Sequence, residues 1–306
     1  MQDKFHHDVN GEELTSIEER IKTHPCYNPK ARFNYARIHL PIAPKCNIQC
    51  GFCNRLYDCV NESRPGVTSN VIKPDKSVEL VSRVLEEIPQ VSVVGIAGPG
   101  DPLANPEETF QTIDLINKNF PKLKLCLSTN GLTLPDLVDQ IVFHKVKYLT
   151  ITINAIDPMI AEKIYPWINF QGRVIRGKEA AEILLARQQL GLQMLVERDV
   201  LVKINTVLIP GINDFHIPQI AEFVSQKGAY LFNVVPLIQV AGTQFENWPV
   251  PDRKMLLDIQ KKCSPFIRIM QHCKQCRADA IGFLGNDHPM NCFVTPSSDP
   301  RLGDES

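Results

Sequence analysis

The chain of 306 residues is long enough for one barrel-sized domain and a small appendage. Its hydrophobic fraction of 43% and charged fraction of 22% are ordinary for a globular protein, and a formal net charge of -1 gives no electrostatic reason to expect nucleic acid or an anionic membrane as partner. No apolar run reaches membrane-spanning length and the polar start is no signal peptide, so we expect a cytoplasmic protein.

Six strand-like stretches alternate with helix-like stretches, which predicts an α/β fold with parallel strands. The predicted strands are residues 36–42, 91–97, 123–129, 148–154, 201–209 and 230–237. The predicted helices are residues 77–88, 107–119, 134–144, 177–190 and 217–227. Because a closed TIM barrel has more repeats, we expect a partial, open (β/α)6 barrel over residues 34–240. An N-terminal extension, residues 1–33, and a C-terminal segment with a polar tail, residues 241–306, would flank it.

Side chains along the predicted strands separate an apolar face from a polar face, since neighbours on a strand point in opposite directions. The polar positions are Cys126, Ser128, Asn130, Thr150, Thr152, Asn154, Lys203 and Asn205. The apolar faces should pack on the helices and leave a polar lumen. Buried polar groups without partners are costly, so the lumen should contain a polar ligand, near the carboxyl ends of the strands.

Ten cysteines in a chain of this length favour metal or redox chemistry over a disulfide framework. Cys46, Cys50 and Cys53 form a C-x3-C-x2-C loop with Phe52 just before the last cysteine. Three thiolates can hold an iron-sulfur cube and leave one iron open for substrate, whereas an electron-transfer ferredoxin uses four. A structural zinc knuckle is the alternative, although such sites usually use two short C-x2-C pairs.

The cysteine loop resembles the signature of the radical SAM enzymes. The resemblance implies the partial barrel, and a 4Fe-4S cluster whose open iron chelates S-adenosylmethionine (SAM) and cleaves it to a 5'-deoxyadenosyl radical. By the same resemblance, the segment Gly98-Pro99-Gly100-Asp101 stands in the place of the Gly-Gly-Glu motif, from which it departs. The implied SAM-binding residues are Gly98, Gly100, Asp101, Ser128, Asn130, Asn154, Asn205, Val207 and Ile209.

Six further segments, residues 24–28, 37–41, 53–67, 97–104, 205–214 and 273–280, resemble the NifB family of nitrogenase cofactor biosynthesis proteins, in its short form without a C-terminal carrier domain. The resemblance implies that two further 4Fe-4S clusters are substrates, fused with a carbide and an added sulfur into the eight-iron precursor of the nitrogenase cofactor. One SAM would donate a methyl group and a second would supply the radical. Implied partners are nitrogenase cofactor scaffold and carrier proteins and iron-sulfur donor proteins.

By this resemblance, the first substrate cluster takes Cys26, Cys126 and a histidine. We favour His39 because it lies opposite an apolar pair on the first strand, and His24 is the competitor. Strand alternation supports Cys126 independently.

Cys273 and Cys276 form a C-x2-C pair and resemble ligands of the second cluster. The alternative is a zinc knuckle completed by Cys263 and Cys292. After the triad, Glu62 and Arg64 are candidate catalytic or gating residues, and Cys59 is either a transient ligand or a packed side chain.

Two other functions stay open at the level of sequence. One is a radical SAM enzyme with an auxiliary cluster that acts on a peptide or small molecule, and the other is a passive iron-sulfur scaffold.

Overall fold

The structure is a computed structural model that describes residues 16–57, 59 and 71–293. The candidate catalytic residues Glu62 and Arg64 lie outside the described residues. In chain order the helices and strands are α1 (Ile17–Ile21), β1 (Ala36–Pro41), β2 (Ile48–Gln49), α2 (Pro74–Glu87), β3 (Val91–Ala97), α3 (Pro106–Asn119), β4 (Lys124–Thr129), α4 (Leu134–Phe143), β5 (Tyr148–Thr152), α5 (Pro158–Ile164), β6 (Trp167–Phe170), β7 (Arg173–Arg176), α6 (Gly177–Glu197), β8 (Leu201–Leu208), α7 (Ile217–Gln226), β9 (Leu231–Pro236), α8 (Arg253–Cys263), β10 (Ile281–Phe283) and β11 (Asn286–His288).

The main sheet has the strand order β11-β10-β1-β3-β4-β5-β8-β9. Six strands of this sheet are parallel, and each lies beside the next of them in chain order. These strands are β1, β3, β4, β5, β8 and β9. Within the described residues, β9 forms no pair with β1, and β1 instead pairs antiparallel with β10. The expected α/β fold with an open, partial barrel of six parallel strands is confirmed.

The hydrophobic core fills the space between the outer face of the sheet and the helices. Leu125 and Leu127 of β4 and Leu149 and Ile151 of β5 belong to this core. Burial of each such side chain stabilises the fold by roughly 1.5–3 kcal/mol. The alternate residues of β4, from Lys124 to Ser128, are less buried than the leucines. The predicted separation of an apolar outer face from a polar lumen is therefore confirmed in this strand.

A small antiparallel sheet, in the order β2-β6-β7, was not predicted from the sequence. Its β6–β7 hairpin turns through Gln171 and Gly172, which both have positive φ, as a two-residue hairpin loop requires. Ile48 of β2 pairs with Ile168 of β6. This sheet therefore fixes the middle of the cysteine loop to the segment between α5 and α6.

The segments on either side of the barrel also pack against it. The Tyr27 hydroxyl is buried 3.1 Å from the carbonyl oxygens of both Leu149 and Leu201, which lie on neighbouring strands. At the other side of the sheet, Arg37 of β1 pairs with Gly282 of β10, in the segment that follows α8. Residues from both ends of the described chain are thereby brought to the lumen.

Candidate metal centre

The three cysteines of the loop line one cavity, which we call the cysteine-loop cavity and which measures about 330 Å³ including its opening to solvent. Its lining consists of Cys46, Ile48, Cys50, Cys53, Arg55, Cys59, Gly100, Asp101, Asn130 and Thr152. None of the three cysteines forms a disulfide. Among the described residues, no three His, Cys, Asp or Glu side chains converge closely enough to hold a single metal ion.

Hydrogen bonds within the loop fix the directions of its cysteines. The Gln49 side chain donates to the carbonyl oxygens of Cys50 and Cys53 at 2.9 and 2.6 Å. Phe52 is completely buried and stacks on Phe245, with ring centroids 6.4 Å apart. The aromatic residue of the motif thus anchors the loop in the protein while its neighbouring thiols face the cavity.

Arg55 is a cation of this cavity that sequence reasoning missed. Its guanidinium donates to the Ile48 carbonyl oxygen, which holds it beside the loop. Burial raises the pKa of Cys46 and Cys53, and the positive charge of Arg55 opposes that rise. Arg55 therefore favours the thiolate forms that bind metal. The sequence feature that could have identified Arg55 is its position two residues after the last cysteine of the triad.

The glycines of the Gly98–Asp101 segment serve a close approach between two backbones. A Cβ atom on Gly98 would overlap the backbone of Ala43, and one on Gly100 would overlap that of Lys45. The Gly100 N–H donates to the Ala43 carbonyl oxygen at 2.8 Å. From the sequence we expected that the lack of a side chain at these glycines would let a ligand approach the backbone. In the structure it lets the backbone that leads into the cysteine loop approach instead. Gly100 also lines the cysteine-loop cavity.

Asp101 is a buried acceptor that joins two strand ends. Its carboxylate accepts hydrogen bonds from the Leu103 N–H at 2.8 Å, the Thr129 hydroxyl at 3.0 Å and the Asn130 N–H at 2.5 Å. Burial raises its pKa and these hydrogen bonds oppose that rise. Asn130, positioned in this way, donates to Asn47 at 2.7 Å and lies 3.6 Å from the Cys46 sulfur. Asp101 therefore aligns β4 with the cysteine loop.

Other predicted SAM-binding residues are placed differently. Ser128 and Asn205 line a second cavity, described below, and the amide of Asn205 accepts from Asn233 at 3.1 Å. Asn154, Val207 and Ile209 line neither cavity. The Asn154 side chain accepts from the Val207 N–H, and Asn213 accepts from the Ile209 N–H, each at 2.8 Å.

The second cavity, which we call the lumen cavity, measures about 750 Å³ including its opening to solvent. Its lining includes Cys26, His39, Cys126, Ser128, Thr150, Lys203, Asn205, Asn233, Met270, Cys273, Lys274 and Cys276. The five residues assigned from sequence to two substrate clusters, four cysteines and His39, thus face one space. They come from the N-terminal segment, from β1 and β4, and from the segment after α8.

The structure separates the two candidate histidines. The His39 ring lines the lumen cavity, and its Nδ1 lies 3.0 Å from the Arg277 carbonyl oxygen, to which it donates. Its Nε2 is then the nitrogen with a free lone pair. His24 is completely buried between Tyr27 and Tyr148, and its Nδ1 accepts from the Cys26 N–H at 3.3 Å. The Nε2 of His24 is also buried without a hydrogen-bond partner among the described residues, so the difference is that only His39 lines the lumen cavity with the candidate cysteines.

The alternative zinc knuckle at the C-terminal cysteines is not supported by the structure. Cys263 is completely buried in the main hydrophobic core and Cys292 is exposed, and neither lines the lumen cavity with Cys273 and Cys276. Cys276 has a different partner, because the Arg37 guanidinium donates to its sulfur at 2.9 Å.

The described part of the chain contains no helix that is both long and apolar enough to cross a membrane.

A model of the radical SAM superfamily matches residues 40–224. The chain is 52% identical over 281 residues to the FeMo cofactor biosynthesis protein NifB of Bradyrhizobium diazoefficiens, covering 90% of this chain and 56% of that relative. It is 46% identical over 288 residues to NifB of Chlorobaculum tepidum, covering 93% and 68%.

The chain belongs to the NifB family of the radical SAM superfamily. It spans about half the length of many of the curated NifB relatives that it matches. Among solved structures, Streptococcus suis SuiB superposes with a TM-score of 0.53 at 15% identity, covering 87% of this chain and 57% of SuiB, which shows a shared fold.

Membership of the radical SAM superfamily implies a 4Fe-4S cluster and SAM, and the residues present in this chain fit both. Three cysteines that form no disulfide and one cation line the cysteine-loop cavity. In the same cavity, the Thr152 hydroxyl is buried without a hydrogen-bond partner among the described residues. A polar ligand at this site would remove the cost of leaving that hydroxyl unpaired.

Proposed function

We propose that the chain is a radical SAM enzyme that makes the eight-iron precursor of the nitrogenase cofactor. It would fuse two 4Fe-4S clusters, insert a carbide that comes from a SAM methyl group, and add one sulfur. The observation that supports this proposal is the lumen cavity, which is lined by four cysteines and His39, the candidate iron ligands. The name of the relatives, FeMo cofactor biosynthesis protein, agrees with it.

The ligands of the lumen cavity divide into two sets by their place in the fold. Cys26, His39 and Cys126 come from the N-terminal segment and the first strands, and we assign them to the first substrate cluster. Cys273 and Cys276 come from the segment between α8 and β10, and we assign them to the second. Soft thiolates and imidazole suit iron-sulfur clusters, and a few ligands per cluster would allow the fused product to leave.

Strands β4 and β5 connect the lumen cavity to the cysteine-loop cavity. Ser128 and Thr150 line the lumen cavity, and the next residues on the same strand faces, Asn130 and Thr152, line the cysteine-loop cavity. Two residues along a strand span about 7 Å. Chemistry at the cysteine loop would therefore take place within a short distance of the substrates.

The roles of the remaining residues follow from these positions. Cys46, Cys50 and Cys53 would hold the resident cluster, which when bound supplies the electron that cleaves SAM. Gly100, Asp101, Asn130 and Thr152 would surround SAM, since they share the cavity of the three thiols. The polar lumen would orient the substrate clusters and limit the access of water. Glu62 and Arg64 are kept as proposed catalytic or gating residues on sequence grounds alone.

The proposal implies protein partners. A cluster precursor built in a cavity must be received and delivered by other proteins, so we propose cofactor scaffold and carrier proteins as acceptors. Iron-sulfur donor proteins would supply the substrate clusters.

The test is anaerobic incubation of the reconstituted protein with SAM labelled in its methyl carbon, followed by isolation of the released cluster. We expect the label at the centre of that cluster, and iron equivalent to three cubes on each chain before turnover. A Cys53→Ser variant is the matched control, because it should lose SAM cleavage while retaining iron in the lumen cavity.

Three outcomes would contradict the proposal or part of it. Label found only in a methylated peptide or small molecule would favour an enzyme with an auxiliary cluster. Absence of reductively formed 5'-deoxyadenosine would favour a passive scaffold. Unchanged iron content in the double variant Cys273→Ser, Cys276→Ser would refute the assignment of the second cluster.

A further inference from the structure

Lys203 places a positive charge in the lumen cavity that the roles described above do not use. It lies in the middle of β8, where its Cα pairs with Thr150 of β5 and with Leu231 of β9. Its side chain lines the lumen cavity, and no Asp or Glu is among the lining residues. In the described part of the chain, no carboxylate lies within ion-pair distance of its ammonium group.

The thiols of both ligand sets surround this charge. Cys26 and Cys126 of one set and Cys273 and Cys276 of the other line the same cavity as Lys203. Against burial, which lowers the pKa of Lys203, thiolates at these four positions favour its charged form and so raise its pKa. One ammonium group therefore shares a cavity with both sets of ligands.

Two other cations lie near the lumen ligands and differ from Lys203. Lys274 also lines the lumen cavity, but its side chain is exposed. The Arg37 guanidinium forms an ion pair with Asp287 at 3.2 Å and donates to Cys276 at 2.9 Å and to the Gly282 carbonyl oxygen at 2.6 Å. Its charge is therefore already paired with a carboxylate, and Arg37 does not line the lumen cavity. Lys203 lines the cavity and forms no such ion pair among the described residues.

Resting on the function proposed above, we propose that Lys203 is a positioning residue shared by both substrate clusters. A thiolate-ligated iron-sulfur cube is anionic, and an anion buried without a counter-charge is strongly disfavoured. Two such anions brought together for fusion also repel each other. The Lys203 ammonium faces both ligand sets across one cavity, so it offsets the charge of each cluster and reduces the repulsion between them.

The test compares Lys203→Met with Lys203→Arg and with Lys124→Met. Methionine keeps much of the side-chain length and removes the charge, whereas arginine keeps the charge. Lys124 is the matched control, since it lies on the same face of β4 as Cys126, is half-buried, and does not line the lumen cavity. Each variant of the chain is reconstituted anaerobically by titration with iron and sulfide, and is assayed by iron content and Mössbauer spectroscopy.

We expect Lys203→Met to weaken the binding of both lumen clusters by about 10- to 100-fold, the usual effect of removing a residue that supports metal ligands. The cluster on Cys46, Cys50 and Cys53, and the reductive formation of 5'-deoxyadenosine, should be retained. Lys203→Arg should restore most of the lumen iron, and Lys124→Met should match the parent protein.

Three results would overturn the inference. These are parental lumen iron in Lys203→Met, loss of only one of the two lumen clusters, and a Lys203→Arg variant as deficient as Lys203→Met. If Lys203→Met loses the cysteine-loop cluster as well, it has misfolded, and Lys203→Arg alone decides the outcome. A failed carbide experiment with normal iron loading of the parent protein would refute the proposed reaction and leave the Lys203 test intact.

Discussion

Replacement of Asp101 tests whether the cysteine-loop cavity is held in shape by one buried carboxylate. The side chain is 4% exposed and accepts hydrogen bonds from Leu103, Thr129 and Asn130. Asp101→Ala would leave these three donors without their acceptor. Asp101→Asn would keep the shape but direct an NH2 group or a weaker acceptor at the Asn130 N–H.

The expected cost follows from the number of donors affected. A buried donor left unpaired costs about 1–3 kcal/mol, and the Thr129 hydroxyl can rotate to recover part of its loss, so Asp101→Ala should destabilise by about 3–5 kcal/mol. Asp101→Asn should cost about 2 kcal/mol, the usual value of one hydrogen bond to a charged group. Asp157 is the matched control, because it caps α5 by accepting from the Met159 N–H at 2.8 Å in an exposed position. Asp157→Ala should cost about 1 kcal/mol.

The assay is urea denaturation of the iron-free chain under reducing, anaerobic conditions, monitored by circular dichroism. Iron content after reconstitution is measured in parallel. Because Asp101 orients Asn130 against Cys46 and Asn47, its variants should also bind the cysteine-loop cluster more weakly, whereas Asp157→Ala should not. An Asp101→Ala variant no less stable than Asp157→Ala, with normal iron content, would refute the role of Asp101 as the link between β4 and the cysteine loop.

Three other predictions concern single residues. Gly100→Ala should destabilise by about 3 kcal/mol and displace the cysteine loop, because a methyl group there overlaps the Lys45 backbone; a parental urea midpoint would contradict this. Burial raises the pKa of the Cys263 thiol to about 12, so iodoacetamide at pH 8 should modify exposed Cys292 and leave Cys263 intact in the folded protein, as mass spectrometry can check. His39→Ala should remove the iron of one lumen cluster, and full occupancy in that variant would exclude His39 as a ligand.

The main elements could be predicted from the sequence because their signals are local. Strand β3 was predicted with its observed bounds, since a run of apolar, mostly β-branched residues is enough to specify a buried parallel strand. Helix α6 shows the limit of such signals. It was predicted to end before Gly191, a residue that usually breaks helices, yet it continues to Glu197. Gly191 is needed because a Cβ atom there would overlap Leu134 of α4, a contact that no local pattern reveals.

Some site residues could likewise be predicted from local signals, whereas others depend on contacts that are distant in sequence. The cysteine triad could be read from a loop of eight residues, and Cys126 could be placed in the lumen from strand alternation. The different surroundings of His39 and His24 could not be predicted from the sequence. They depend on the Arg277 carbonyl oxygen beside His39 and on the Tyr148 ring beside His24, and both of these residues are far away in sequence. The short strands of the β10–β11 hairpin were also missed, since three residues are too few to establish an alternating pattern.

The origins of the ligands suggest why one cluster would be resident and two would be substrates. The triad lies on one short loop that is fixed at Ile48 by the small sheet and at Phe52 by the core. The lumen ligands come from distant segments, with Cys26 before the barrel and Cys273 after it, and they meet only when these segments pack on the strands. Under the function proposed above, ligands that come from segments packed separately on the strands would release a fused product more readily than the triad, which lies on one fixed loop, would release its own cluster.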